Sequence, residues 1–186
     1  MKTAQHRFKR REQYGRGLVV GAMVGLLFAV AAAHSAMAQE LSKESVLPLS
    51  LANKAIAAAI ESCKKDGYRV SVSVVDRSGV LRAMGRADGA GPHTVDSSRK
   101  KAYTAASVRR PTTELADLIS KNPALQGLRD MNQEILILGG GLPIEIGGEV
   151  MGGIGVGGAP GAHLDDACAQ SGLDAIGAAP KVTVPK

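Results

Sequence analysis

Residues 151–172 read MGGIGVGGAPGAHLDDACAQSG. Gly153, Gly155 and Gly158 spell G-x-G-x-x-G, and a helical pattern follows. A dinucleotide fingerprint needs a strand–loop–helix–strand unit, with an acidic residue ending the second strand about 20 residues further on. Beyond this helix only KVTVPK, residues 181–186, remains, too little for a second parallel strand. Nor does a P-loop G-K-[ST] occur. The glycines are therefore assigned to a strand, where a missing side chain lets another backbone, a helix or a flat ligand come close. Two readings stay open: a helix packed on a crowded sheet, or a smooth wall for a planar molecule.

Working back from this strand, EILILG (134–139), LPIEIG (142–147) and EVMGGIGVGG (149–158) read as three short strands joined by glycine turns. Earlier, YRVSVSVVD alternates Val70, Val72 and Val74 against Arg69, Ser71 and Ser73, a half-buried strand. DRSG is a turn, and VLRAMGRAD completes a hairpin over 69–88, with Gly85 expected as a bulge. Helices are expected at 48–65, capped by Ser50; at 94–108, ended by Pro111; from Thr112 or Thr113 as cap; and over the tail beginning at Pro160. Strands joined by tight turns are antiparallel, and the helices need a sheet face to cover. The expected class is α/β (α+β): a profilin-like sandwich with a five-stranded antiparallel sheet flanked by helices.

The chain has 186 residues. Its start carries six Lys or Arg and one Glu, followed by an uncharged apolar run of 16 residues and then HSAMA. Basic, apolar and small-residue regions in that order describe a secretory signal peptide, residues 1–38; the alternative is an uncleaved anchor, for which the run is short. An N-terminal extension is expected over 39–48, the folded domain over 49–178 and a tail over 179–186. Of 23 Lys and Arg and 17 Asp and Glu, the leader holds six and one, so the remainder is near +1 rather than +6. No nucleic-acid partner is expected, because the basic surplus lies outside the fold. After cleavage no membrane association is expected, and the location is periplasmic or secreted. The mature part has no Trp or Phe, so its core must be aliphatic. Its two cysteines, Cys63 and Cys168, suggest a disulfide in an oxidising compartment or two buried thiols. The first and last helices, packed side by side, would bring them together.

The blocks VSVVDRSGVLRAMGRADGA, RKKAYTAAS and GGGLPIEIGGEVMGGIGVGGAPGAHLDDACAQSGL resemble the GlcG/HbpS family of haem-binding proteins, which also occurs as the C-terminal domain of PduO-type proteins. The resemblance covers about residues 49–176. It implies a profilin-like fold, a homo-oligomer and a haem or tetrapyrrole ligand, in an exported, non-catalytic protein of haem handling or redox sensing. Val156-Gly157-Gly158 departs from the Val-Ser-Gly of many members and lacks its hydroxyl.

Haem requires an axial ligand, cations for its propionates and apolar walls. The donors are His93, His163, Tyr68, Tyr103, Met84, Met131, Met151 and the cysteines. His93, after a glycine loop and before a helix, is the expected iron ligand. Arg86, Asp88, Lys101 and Tyr103, with Gly153 and Gly155 as wall, complete the expected site. Lys101 and Tyr103 are two apart on a helix and point in different directions; Lys101 is expected to pair with a propionate or with Asp88. Asp165 and Asp166 read as a helix N-terminal pair without function, and His163 as solvated. The alternative function is an enzyme or accessory protein acting on a small oxygenated metabolite of glycolate or diol type, with Lys101 and His93 as acid and base. No H-E-x-x-H, C-x-x-C or nucleophile elbow supports a particular chemistry.

Overall fold

A computed structural model describes residues 43–180. The expected signal peptide lies outside them. The chain divides into two units, Met1–Glu44 and Ser45–Lys186, and the second carries the fold. Its elements are α1 (Leu49–Lys65), β1 (Ser71–Asp76), β2 (Leu81–Arg86), α2 (His93–Val108), α3 (Thr112–Lys121), a 3-10 segment (Pro123–Arg129), β3 (Gly141–Ile146), β4 (Glu149–Gly157) and α4 (Ala162–Ile176).

The sheet is antiparallel, in the order β2-β1-β4-β3. Alternation gives it two unlike faces. Val72, Val74, Leu142, Ile144, Ile154 and Val156 point to one face and join Ala52, Ala55, Ala59, Cys63, Cys168, Ala169 and Leu173 of α1 and α4 in the main core. Those two helices approach closely because their contact is made of small residues: a Cβ on Gly172 would stand 2.8 Å from the Ala55 carbonyl. Cys63 and Cys168 are disulfide-bonded across this contact, and Ser62 and Ser171 share a 2.9 Å hydrogen bond beside them. An aliphatic core without aromatic rings is thus matched by close helix packing.

The other face carries Ser71, Ser73, Val75, Gly141, Gly153, Gly155 and Gly157, and α2 lies on it. Cβ atoms on Gly141, Gly153 and Gly155 would collide with the main-chain carbonyls of Lys101, Ala102 and Ser98 respectively. Helix packing, not a ligand, fills the space above these glycines. Ser71 bonds Thr94 at 2.7 Å and Ser73 bonds Ser98 at 2.8 Å, so the two serines facing a helix are satisfied.

The sheet has four strands, not five. Residues 134–139 form no strand. Ile135 and Ile137 alternate inward, but into a satellite cluster with Leu115 and Ile119, and the Leu136 amide donates to Thr104 Oγ1 at 2.8 Å. The outer edge of β3 is largely taken: Thr112 Oγ1 bonds both the amide and carbonyl of Gly141, Pro143 has no N–H, and Ala179 bonds both groups of Glu145. Ala179, expected in the C-terminal tail 179–186, is tied to the sheet.

Two smaller expectations also change. Ser50 is exposed inside α1 and is not its cap; Pro48 occupies that position, and its carbonyl accepts the first helical bonds from Leu51 and Ala52. Pro111 likewise precedes α3, freeing Thr112 and Thr113 for contacts elsewhere. The hairpin irregularity falls opposite Val74 and Val75, not at Gly85, whose bare Cα instead admits Ile56 and Ile60 of α1.

Candidate functional site

The loop joining β2 to α2, residues 87–92, collects three side chains able to bind an anionic or metal-bearing ligand. Arg86, the last residue of β2, donates from Nε to the Ala90 carbonyl at 2.9 Å and also from Nη2. Arg69 folds over Gly89, where a Cβ would stand 3.0 Å from its Cδ. His93 folds back over Gly91, where a Cβ would stand 2.7 Å from Cε1 and 3.0 Å from Nδ1. Arg69, Arg86, Asp88 and His93 are all exposed. Arg86 is legible in the sequence as a cation on the second strand; Arg69 shows there only as the polar side of β1, and its contact with the loop is close in space but twenty residues away along the chain.

An apolar strip adjoins this loop. Because α2 lies over β4, β1 and β3, the edge strand β2 is left open on the same side. Met84, paired with Ser73, and Arg86, paired with Ser71, face this way, and Leu81 stands opposite Val75. Met84 is 40% and Leu81 45% exposed. Along α2 the register runs from Thr94 beside Ser71, through Ser98 beside Ser73, to Tyr103, whose ring lies against Gly79 in the β1–β2 turn. Tyr103 is therefore at the far end of the strip from His93.

Lys101 is elsewhere. It is 2% exposed, and its Nζ donates to Asp165 Oδ2 at 2.7 Å and to the Val156 carbonyl at 2.9 Å. Its partner is Asp165 of α4, not Asp88 or a solvent-facing propionate. Asp165 also accepts from the Ala159 amide at 3.0 Å. Asp166 accepts from the Gly140 amide at 2.6 Å and from Thr113 Oγ1. The two carboxylates, expected only as a helix N-terminal pair without function, are buried polar joints linking α4 to α2, α3 and the approach to β3. Burial pushes both carboxyls above the ordinary Asp value. The Lys101 charge and hydrogen bond oppose this at Asp165, and the Thr113 and Gly140 bonds oppose it at Asp166. Sequence distance hid this cluster: Lys101 and Asp165 are 64 residues apart.

Arg86 and His93 thus both fold onto the 87–92 loop, which also carries the exposed Asp88. The structure separates them from Lys101 and Tyr103, and it covers Gly153 and Gly155 with α2. His163 is exposed, with its ring over Gly161. Ser97, four residues after His93, bonds the Thr94 carbonyl at 3.3 Å and forms no triad. No group of three His, Cys, Asp or Glu able to hold a metal occurs among the described residues.

The fold and these motifs have relatives. A family model described as haem degrading protein HbpS-like matches residues 47–174. An uncharacterized 15.0 kDa protein of the dhaT–dhaS intergenic region of Citrobacter freundii is 36% identical over 131 residues, covering 70% of this chain and 92% of that one. Protein GlcG of Escherichia coli K12 is 32% identical over 111 residues, covering 60% and 81%. Among solved structures, a double mutant of Streptomyces reticuli HbpS superposes with a TM-score of 0.69 at 43% identity, covering 75% of this chain and 92% of that one. A PduOC–heme complex superposes at 0.68 with 29% identity, covering 73% and 98%. The glycine-backed sheet, the blocks on either side of it and these matches agree: the chain belongs to the HbpS-like family.

Proposed function

We propose that this protein binds haem or a related tetrapyrrole on the open face of β2, against the 87–92 loop. One observation carries the reading: Arg69, Arg86 and His93 gather around a single loop, and the exposed Met84 and then Leu81 extend from it along β2. The donor set fits the group, since haem wants an imidazole or similar ligand, cations for its carboxylates and an apolar wall. His93 would ligate the iron, Arg69 and Arg86 would hold the carboxylates, and Met84 and Leu81 would line the ring. Bound haem supplies redox and ligand-binding chemistry at its iron; the chain supplies orientation and charge. The haem-degrading family model and the PduOC–heme complex support the choice of ligand.

Titration of the apo protein with hemin tests this. A Soret band develops on binding, and His93→Ala weakens binding by more than about tenfold, or 1.4 kcal/mol. Spectra of free hemin with both proteins would refute the reading. The description of the family as haem degrading favours a second reading, in which bound haem is consumed. That reading needs dioxygen and an added reductant, or peroxide, as the oxidant of the ring; time-dependent bleaching with release of iron under those conditions in the wild type, absent from His93→Ala and from free hemin, distinguishes it from passive binding. The expectation of an acid–base enzyme for small oxygenated metabolites loses its lysine, because the Lys101 amino group is enclosed.

Export and self-assembly belong to the same proposal. Cleavage after Ala38 gives a mature chain starting at Gln39, read by intact mass of the secreted or periplasmic protein. Light scattering reads whether it is a homo-oligomer. A monomer at micromolar concentration removes assembly from the proposal.

A further inference from the structure

The contacts around the 87–92 loop close into a ring. Arg86 donates two guanidinium N–H groups to the Ala90 carbonyl. The next carbonyl, of Gly91, accepts from Thr94 Oγ1 at 2.6 Å and from the Thr94 amide at 3.1 Å. Thr94 Oγ1 is hydrogen-bonded to Ser71 at 2.7 Å, and Ser71 is the partner of Arg86 across the β1–β2 ladder. His93 falls between the bonded residues of this ring, exposed, with its imidazole folded over the bare Cα of Gly91.

We propose that Arg86 and Gly91 are positioning residues for His93. The Arg86 fork fixes the Ala90 carbonyl and hence the plane of the following peptide. Gly91 leaves room above that peptide for the ring. His93 is then presented in one orientation before any ligand arrives, which is what an orienting partner does for a metal-binding imidazole. The argument rests on His93 being the ligand-binding imidazole. It changes the part expected of Arg86, from a free cation waiting for a carboxylate to a clasp whose geometry matters as well as its charge. A guanidinium is a planar, pre-organised fork, whereas an ammonium is a point charge on a flexible stem, so Arg86→Lys separates the two accounts.

The first measurement uses the apo protein. In the wild type, His93 ring protons show a nuclear Overhauser contact with the Gly91 α-protons. The contact is lost in Arg86→Lys, while amide shifts outside 86–94 stay in place. Gly91→Ala, with the Arg86 fork intact, displaces the ring by its added methyl. The second measurement uses hemin. Both variants lower apparent affinity about 10- to 100-fold, as residues that orient a metal ligand do, and both alter the ferric absorption and spin-resonance spectrum. Arg86→Lys that keeps the Overhauser contact overturns the proposal, as does a hemin-bound Arg86→Lys spectrum identical to wild type. Should wild-type protein bind no hemin, the haem reading falls, and the Overhauser measurement alone still decides the clasp.

Discussion

At the residue scale, the positions with the largest predicted effects are those whose partners lie far along the chain. Lys101→Met removes the counter-charge of a buried carboxylate and is expected to destabilise the domain by about 3–5 kcal/mol. The double variant Lys101→Met with Asp165→Leu recovers part of that loss, because the carboxylate bonded to Lys101 goes with it, while Asp166 keeps its Thr113 and Gly140 hydrogen bonds. A double-mutant cycle by urea denaturation reads this directly. Gly155→Ala places a methyl into the Ser98 carbonyl and Ala102 amide. It is expected at or above the top of the ~1–3 kcal/mol range for overpacking. Gly127→Ala, with no atom within 4 Å of its added Cβ, serves as the control and stays within about 0.5 kcal/mol. The sequence made the glycine crowding legible, since glycine on alternate positions of a strand has few other uses. It did not make Asp165 and Asp166 legible, because two acids in a first helical turn look alike whether they face water or a buried lysine.

At the element scale, the link between α1 and α4 dominates. The disulfide closes a loop of 105 residues, and in the chain-entropy model its removal by Cys63→Ser with Cys168→Ser lowers stability by about 4–5 kcal/mol. Calorimetry of the variant against the oxidised wild type checks the size, and thiol titration of the unfolded wild type, expected to find no free thiol, checks the bond itself. The sequence leaves the pair open between a disulfide and two buried thiols; the expectation that the first and last helices pack side by side on one sheet face is what favours the bond, and the structure has it. The supposed strand at 134–139 shows the opposite case. Its apolar alternation is real, yet alternation states only which side chains go inside, not which backbone accepts the hydrogen bonds. Thr104 and the sealed edge of β3 decide that, and neither is visible in a short window of sequence.

At the scale of the whole molecule, acid response has a sign that can be worked out. Burial holds the folded-state values of Asp165 and Asp166 above the ordinary carboxylate value. In the window above about 3.8 the native state therefore binds more protons than the unfolded chain. Their joint contribution is most favourable below that window and declines as pH rises through the raised folded values. Asp96 works the other way. Burial raises it, but the hydrogen bonds and charges of Lys100 and Arg99 outweigh this and lower it, so its contribution is present above the ordinary value and lost as pH falls through the lowered one. Comparing wild type with Asp166→Asn between pH 4 and 7 isolates the first effect: the wild-type advantage shrinks as pH rises, and an advantage that grows would contradict the burial argument. The same scale gives a last consequence of the Thr112, Pro143 and Ala179 seal on β3. Among the described residues the border of β3 offers a lone Pro143 carbonyl, while that of β2 is the one on which no capping contact is seen. Two molecules that met there would use up each other's free hydrogen-bonding groups, so growth by strand addition stops at a pair, and a fibre, which needs borders on both sides of every subunit, has no second one to propagate from.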